Sequence, residues 1–452
     1  MGSDFILAWV AWATSFFLWI VLFWCAARTK GGAIFSAVVG VFISLIARPP
    51  IVLLGLDYPI PWGWFSGYEY ETFALGSFVA SCWIAIMLIT YLFSLHVGVP
   101  GVGLLPKERV TPTAGILLFW GALLISISTG VTLVFVVKAG GIAGFQFAVK
   151  VSKDFAGSYV VRHIGTLGII LTMVALMAYG KINIDLPRRH KKSFLFFVSG
   201  IFLFLGLFTN FLWGNRYYIA LILIGCVFSW HYYVKKLSIT KVLTFSIASV
   251  SCLQGLRTLR FYLFSETVGR DVMSELPFWQ EISLSLHLQE FDAMLLAIRD
   301  VGDRFDFRMG ADFVNGLLSW VPRFLYPDKE TFHIGGWLRQ VYEPTTVNGW
   351  PPALPGAWYI NFGSLGIFLG AVISGWVLAV FDAHYRTASS AWSAVMGIML
   401  PLLMASGGIS TGFPQQVFMT VFPLWVLCIL VQKTPRVAIS SKDARSRAIW
   451  RV

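Results

Sequence analysis

Residues 5–27 run on without one Asp, Glu, Lys or Arg. About 20 such residues, wound as a helix, cross the ~30 Å hydrocarbon core of a bilayer. In lipid every backbone N–H and C=O must be paired within the protein, which leaves a helix as the local solution. Similar runs recur along the chain. We read eleven spans, at about 5–27, 31–47, 71–95, 114–136, 164–180, 194–210, 217–234, 242–256, 363–381, 391–410 and 417–432. Composition agrees. Charged residues make up 12% of the chain, about half the usual ~25% of a soluble domain, and mean hydropathy is +0.74. A soluble enzyme this apolar has no way to cover its surface. Disordered, collagenous and secreted disulfide scaffolds are excluded with it. The expected fold is an all-α polytopic membrane protein with about 11 transmembrane helices, in a range of 10–12.

The connections alternate in character. One set is short and basic: Arg28 and Lys30; Lys107 and Arg109; Lys181 with 188–192; Lys235, Lys236 and Lys241; Arg386; and the tail from Lys433. The other set is longer, aromatic and acidic. The positive-inside rule puts the basic set in the cytoplasm. That set holds 19 Lys and Arg against the four acids Glu108, Asp185, Asp382 and Asp443. The other face keeps 15 against 18. The N-terminus is then expected outside and the C-terminus inside. The basic excess of +12 is therefore topology and contact with anionic lipid, and no nucleic-acid partner is expected. No cleavable signal peptide is expected either, because the first run is too long and lacks a basic start. The five cysteines lie in apolar runs without metal spacing and read as small core residues.

The chain divides into four regions: a bundle of spans one to eight (1–256), an outer loop (257–362), spans nine to eleven (363–432) and a basic tail (433–452). The loop of over 100 residues carries most of the outer charge. Leu284, Leu288, Phe291, Leu295 and Ile298 fall at helical spacing, so an amphipathic helix is expected over about 275–300. A second helical stretch is expected at about 310–321, followed by a turn bracketed by Pro322 and Pro327. The loop lacks the composition of an independent core and is expected to pack on the outer ends of the bundle.

Three motifs carry candidate chemistry. Gly214-Asn215-Arg216-Tyr217-Tyr218 falls at the outer interface, where an Arg offers bidentate recognition of phosphate. An interfacial Arg snorkelling beside aromatic-belt tyrosines explains the same residues. The segment 321–330 holds Arg323 and Lys329 between two prolines, suited to a diphosphate or to a turn closed by an Arg323–Asp328 bridge. The segment 356–370 enters span nine. Gly363, Gly366 and Gly370 there suit close helix packing, leaving Tyr359 and Asn361 for a ligand. General-base candidates are sparse: His287, Glu290, Asp292, Glu330, His333 and Glu343 in the large loop, and Asp57, Glu69 and Glu71 in the first. Each by itself reads as solvated. Walker A, GxSxG, HExxH and Rossmann patterns are absent.

Taken in order, these elements resemble the O-antigen polymerase family, the Wzy-type oligosaccharide repeat-unit polymerases. The resemblance rests on Gly214 and Arg216 at a helix end and on the long outer loop. Within and after that loop come Pro322, Arg323, Leu325, Pro327 and Lys329, then Tyr359, Asn361, Phe362, Gly363 and Gly366. It covers the whole chain as a hydropathy plan, and as sequence mainly 210–370. Many relatives carry a Gly-Glu pair before the last motif. Here Ala357 follows Gly356, so that carboxylate has no counterpart and Glu343 is the substitute considered.

The resemblance implies a GT-C-like, O-antigen ligase-like architecture in the bacterial cytoplasmic (inner) membrane with a periplasmic loop. It implies transfer of a growing glycan from undecaprenyl diphosphate to a sugar hydroxyl of the next lipid-linked repeat. Membrane lipids, a chain-length regulator and a flippase are the further partners it suggests. No nucleotide or metal cofactor is required if guanidinium groups stabilise the leaving diphosphate. Arg216, Arg323 and Arg339 are expected to hold that group, with Tyr217, Arg257, Lys329, Tyr359 and Asn361 as further substrate-binding positions. His333 and Glu343 are the candidate bases. Two rivals share the plan. An O-antigen ligase usually shows a His-Asn pair, whereas His333 precedes Ile334 and His287 precedes Leu288. A lipid-linked-oligosaccharide transporter is expected to carry midplane charge and internal symmetry, and neither is visible.

Overall fold

The computed structural model describes residues 2–29, 31–56, 69–98, 114–149, 159–185, 192–214, 216–235, 289–318, 334–342, 349–387 and 407–424, with scattered positions in 237–255, 321–326, 395–404 and 426–427. Among the described residues all extended regular structure is helical. The β-type pairing there is an isolated Val301–Phe305 bridge. Seven described helices are long and apolar enough to cross a membrane. They match expected spans one to six and nine.

In chain order the helices are α1 (Ser3–Thr29), α2 (Gly32–Leu53), α3 (Tyr70–Val97), α4 (Ala114–Lys138), α5 (Ile142–Phe147), α6 (Tyr159–Asp185) and α7 (Lys192–Leu212). Then come α8 (Arg216–Ser229), α9 (Glu290–Asp300), α10 (Ala311–Leu318), α11 (Ile334–Tyr342), α12 (Leu354–Thr387) and α13 (Phe413–Gln416). Expected span seven corresponds to α8 and a π-helical turn, Trp230–Val234. Spans eight and ten lie mostly outside the described residues, and span eleven is described only at its start.

α1 is the lipid-facing rim and α2 the interior. Only 17% of the apolar window of α1 is buried, against 61% for α2. Aromatic rings at helical spacing line α1, where Trp12, Phe16 and Trp19 form a stack, and two of its rings reach α2: Trp19 lies 4.9 Å from Phe42 and Phe23 6.2 Å from Phe35. The indole N–H groups need acceptors in this dry setting. Trp12 donates to the Ile46 carbonyl at 3.1 Å and Trp19 to that of Val38 at 2.9 Å.

Between α4 and α6 the packing relies on small residues. A Cβ on Gly121 would lie 3.0 Å from the Gly168 carbonyl oxygen, and one on Gly168 2.8 Å from that of Gly121. Backbones approach this closely only where side chains vanish. The polar residues in these spans bond across helices. Ser128 donates to the Val161 carbonyl, Trp213 to the Thr132 hydroxyl and Thr166 to Asn210. Gln146 on α5 donates to the Leu212 carbonyl.

The two ends of the bundle sort as the alternation of connections predicts. At one end Asp382 is fully buried and closes three helices together. It accepts the backbone N–H of Ala33 at 2.8 Å, that of Ile34 at 3.2 Å and the Tyr91 hydroxyl at 2.9 Å. A carboxylate here satisfies unpaired donors of the first turn of α2 and sits at its positive dipole end. Any Cβ on Gly31 would fall 2.1 Å from the Asp382 carboxylate. The start of α2, the Tyr91 end of α3 and the Asp382 end of α12 thus meet at this end.

The large loop docks on the other end. Phe291 through Ala297 of α9 are all buried. Phe291, Met294 and Leu295 join the membrane core, with the Phe291 ring 5.3 Å from that of Phe73. Ala293 and Ala297 face a second, outer core with Val301, Leu338 and Ile360. Over 290–300 the expected amphipathic helix is present and covered on two faces; 275–288 lies outside the described residues. The second stretch expected at 310–321 is α10.

Span nine also departs from its expected form. α12 breaks at Phe362 (φ −140°) and Gly363 (φ +62°), a left-handed conformation that glycine adopts without strain. The limb 354–361 returns beside the limb 364–387. A Cβ on Gly366 would meet the Trp358 carbonyl at 2.2 Å, and one on Gly370 the Trp358 ring at 2.5 Å. In an unbroken helix those pairs would be about 12 and 18 Å apart along the axis. Gly366 and Gly370, expected to serve close helix packing, instead admit Trp358 of the same segment.

Candidate functional site

The outer layer collects arginines on aromatic rings. Arg304 stacks over Tyr342 at 4.2 Å, Arg308 over Trp337 at 4.6 Å and Arg339 over Trp350 at 4.8 Å. Stacking fixes the plane of a guanidinium while leaving its fork directional. The rings come from α11 and the segment after it. Backbone bonds knit that segment to its neighbours: Trp350 N–H donates to the Gly335 carbonyl, Ala353 N–H to that of Glu290, and Arg308 N–H to that of Ile360.

Two carboxylates organise these cations. Asp312 accepts Arg308 Nε at 2.9 Å on Oδ1 and Asn361 Nδ2 at 2.9 Å on Oδ2. Asp300 binds Arg299 through two bonds, at 2.5 and 2.9 Å, and accepts the Tyr342 hydroxyl. Burial by itself would raise the Asp300 carboxyl. The hydrogen bonds from Arg299 and Tyr342 and the charges of Arg299 and Arg304 outweigh it and hold the group below the ordinary carboxylate range. Tyr342 is pushed well above the usual phenol range, first by burial and then by its bond to Asp300. At neutral pH the pair is carboxylate and phenol.

Beneath this layer lies an ion pair that fastens it to the membrane. Arg48 Nε and Asp292 Oδ2 are 2.9 Å apart, and both side chains are 0% exposed. Asp292, read as a solvated base candidate, is buried instead, because α9 lies against the end of α2. A π-helical turn, Phe42–Ile46, precedes Arg48. Its extra residue rotates the next turn of helix, and Arg48 with it, by about 100° about the axis.

The sequence-predicted residues fall into two groups. Arg339 is buried within the aromatic layer, and Tyr359 is half-buried with its ring edge-on to Phe307. Asn361 is fully buried, and its amide donates to Asp312 and to the Ala357 carbonyl. These three share the outer layer. Arg216 and Tyr217 open α8, and their side chains fall outside the described residues, as do Arg257, Arg323, Lys329, His333 and Glu343. Arg304, Arg308, Asp300, Asp312 and Tyr342 carry no motif that singles them out in the sequence. The i,i+4 spacing of Arg308 and Asp312 was the available signal.

A groove of about 480 Å³ between α3 and α12 is lined by residues such as Ile89, Phe93, Val97 and Trp376. It is apolar, opens beside side chains exposed to lipid and lies toward the Asp382 end, so the cationic layer and not this groove is the candidate site. No protein-family model, curated protein or solved structure matches the chain.

Proposed function

We propose that the protein polymerises lipid-linked oligosaccharide repeat units, of an O-antigen or similar surface polysaccharide, in the bacterial inner membrane. In this reading the eleven spans form a GT-C-like bundle with the N-terminus outside. The observation that carries it is the outer layer of Arg304, Arg308 and Arg339, each stacked on an aromatic ring, beside two carboxylates. Preorganised guanidinium groups stabilise a diphosphate as its charge develops, in a setting where little reorganisation is needed. The glycosidic C–O bond to undecaprenyl diphosphate breaks, and a new C–O bond forms to the acceptor hydroxyl. The hydroxyl proton passes to a base, for which His333 or Glu343 is proposed. Arg216, Arg323, Arg257 and Lys329 complete the cationic wall, and Tyr217 and Tyr359 flank the glycan. A chain-length regulator and a flippase are the proposed partners.

The test is product analysis with purified protein and lipid-linked repeats. A ladder of lengths supports the reading, and Arg216→Ala or Arg323→Ala is expected to shorten or abolish it. Transfer to lipid A core would instead identify a ligase, and relocation without bond formation a transporter.

A further inference from the structure

Asn361 has the residue type of a ligand-binding amide, yet its contacts point inward. It is fully buried at the end of the limb 354–361, one residue before the chain breaks at Phe362 and Gly363. Its Nδ2 spans Asp312 Oδ2 and the Ala357 carbonyl, both at 2.9 Å. Asp312, also buried, turns its other oxygen to Arg308 Nε at 2.9 Å. Arg308 in turn lies over the Trp337 ring, 4.6 Å from its centroid, and is tied by its own N–H to the Ile360 carbonyl. One chain of bonds therefore runs from the break in α12 to a guanidinium in the outer layer.

The turn after Arg308 is strained. Met309 has φ +48°, the only non-glycine residue with positive φ among the described residues, and its side chain is 75% exposed. Gly310 beside it has φ +86°, and a Cβ there would meet the Phe362 ring at 2.9 Å. A β-carbon is disfavoured in this conformation, so such strain persists only where the surroundings over-determine it, and it clusters at ligand clamps. No apolar burial of Met309 offsets it. The strained turn, the aromatic stack and the carboxylate act on the same side chain.

We infer that Arg308 binds a phosphate group of the ligand and that Asp312 and Asn361 are positioning residues, Asn361 acting on the ligand only through Arg308. This rests on the proposed function for the identity of the ligand, but the geometry asks only for a phosphoanion. The bond from Nε to Asp312 and the Trp337 ring 4.6 Å away hold the guanidinium in place in advance, which is what recognition of a tetrahedral anion by arginine requires.

The experiment uses the full-length protein in lipid nanodiscs, with inorganic pyrophosphate as probe and Trp fluorescence or calorimetry as readout. R308A is expected to weaken pyrophosphate by about tenfold or more, as loss of a charge-assisted hydrogen bond should. R308K, which keeps the charge without the fork, restores only part of it. N361A weakens pyrophosphate in the wild-type background and causes no further loss in R308A. Coupling of that kind is what a double-mutant cycle isolates. D312N gives a second route if N361A unfolds, and thermal melts show which variants are folded. Wild-type affinity in folded R308A overturns the assignment. An N361A loss of equal size with and without R308 overturns the positioning role. Pyrophosphate binding lost with R308A, together with no glycan ladder from wild-type protein, leaves this site standing and removes the polymerase reading.

Discussion

Each end of the bundle holds a fully buried carboxylate, and the two are neutralised in different ways. Asp382 is met by two backbone N–H groups at the start of α2 and by the Tyr91 hydroxyl. Its stabilisation is that of a helix cap, spread over dipoles that exist whenever α2 exists. Asp292 is met by the guanidinium of Arg48. That compensation exists only when α9 is docked, since Asp292 belongs to the loop and Arg48 to the membrane bundle. Both contacts are tertiary, but one end is closed by a carboxylate on backbone dipoles and the other by an ion pair. The ion-paired end is the one whose covering layer carries the stacked arginines, so the layer proposed to hold a ligand is joined to the bundle by a contact that can be broken singly.

The largest effect should come from breaking that contact on one side. A buried pair stripped of one partner costs about 3–5 kcal/mol, because the other charge stays buried. Asp292→Leu or Arg48→Met is expected to lower the melting temperature in detergent and to make 257–362 more open to protease. The double variant Arg48→Met/Asp292→Leu should recover most of the loss, since a charge-free packed pair is often neutral or better. If single and double variants melt alike, the pair is not what seats the loop.

Removing the other carboxylate should cost less. Asp382→Ala deprives the first turn of α2 and the Tyr91 hydroxyl of their acceptor, worth about 1–3 kcal/mol by capping and hydrogen-bond standards. Asp382→Asn keeps one acceptor oxygen and should fall between. Protease sensitivity of the outer loop is expected to stay as in the wild type. A loop that opens in Asp382→Ala would erase the distinction between the two ends.

How far these features were legible in the sequence depends on the range of the interactions. The span at 114–136 is Ala114–Lys138 in the structure, and that at 5–27 is Ser3–Thr29. In lipid the helix has no competitor, so hydropathy suffices. The alternation of basic and acidic connections also predicted which segments meet at one end. By contrast, Asp382 reads in the sequence only as a cytoplasmic charge, because the N–H groups it caps are 349 and 348 residues away. Arg48 and Asp292 are 244 residues apart and fall in separate loops of the sequence. The fold-back at Gly363 was hidden by the glycines at 366 and 370, whose spacing suits an interhelical contact as well as the Trp358 ring. Of the candidate site, Arg339, Tyr359 and Asn361 stand out in the sequence and lie in the outer layer. Arg308 carried no such mark, since a loop Arg four residues before an Asp reads as a solvated pair.

The smallest effect concerns a third carboxylate, Asp300, which sharpens the comparison because it is reachable by titration. It lies in the same outer layer, and its Arg299 partner is 49% exposed, so solvent screens the pair and its contribution to stability is modest. The folded carboxyl is held below its ordinary range by Arg299 and Tyr342 despite burial. A group with a depressed folded value adds stability above its unfolded value, near pH 4, and loses it as pH falls through the folded value. Wild type should therefore melt above Asp300→Asn at pH 7, with the gap closing as pH is lowered below about 4. The neighbouring phenol moves oppositely: burial and Asp300 raise Tyr342, so its ultraviolet phenolate step should come above the usual value of about 10 and disappear in Tyr342→Phe. In Asp300→Asn that step should shift down, since the bond and charge that raise it are weakened. A melting gap that does not change with pH would mean that Asp300 is held by packing and not, like the carboxylates at the two ends of the bundle, by its charge.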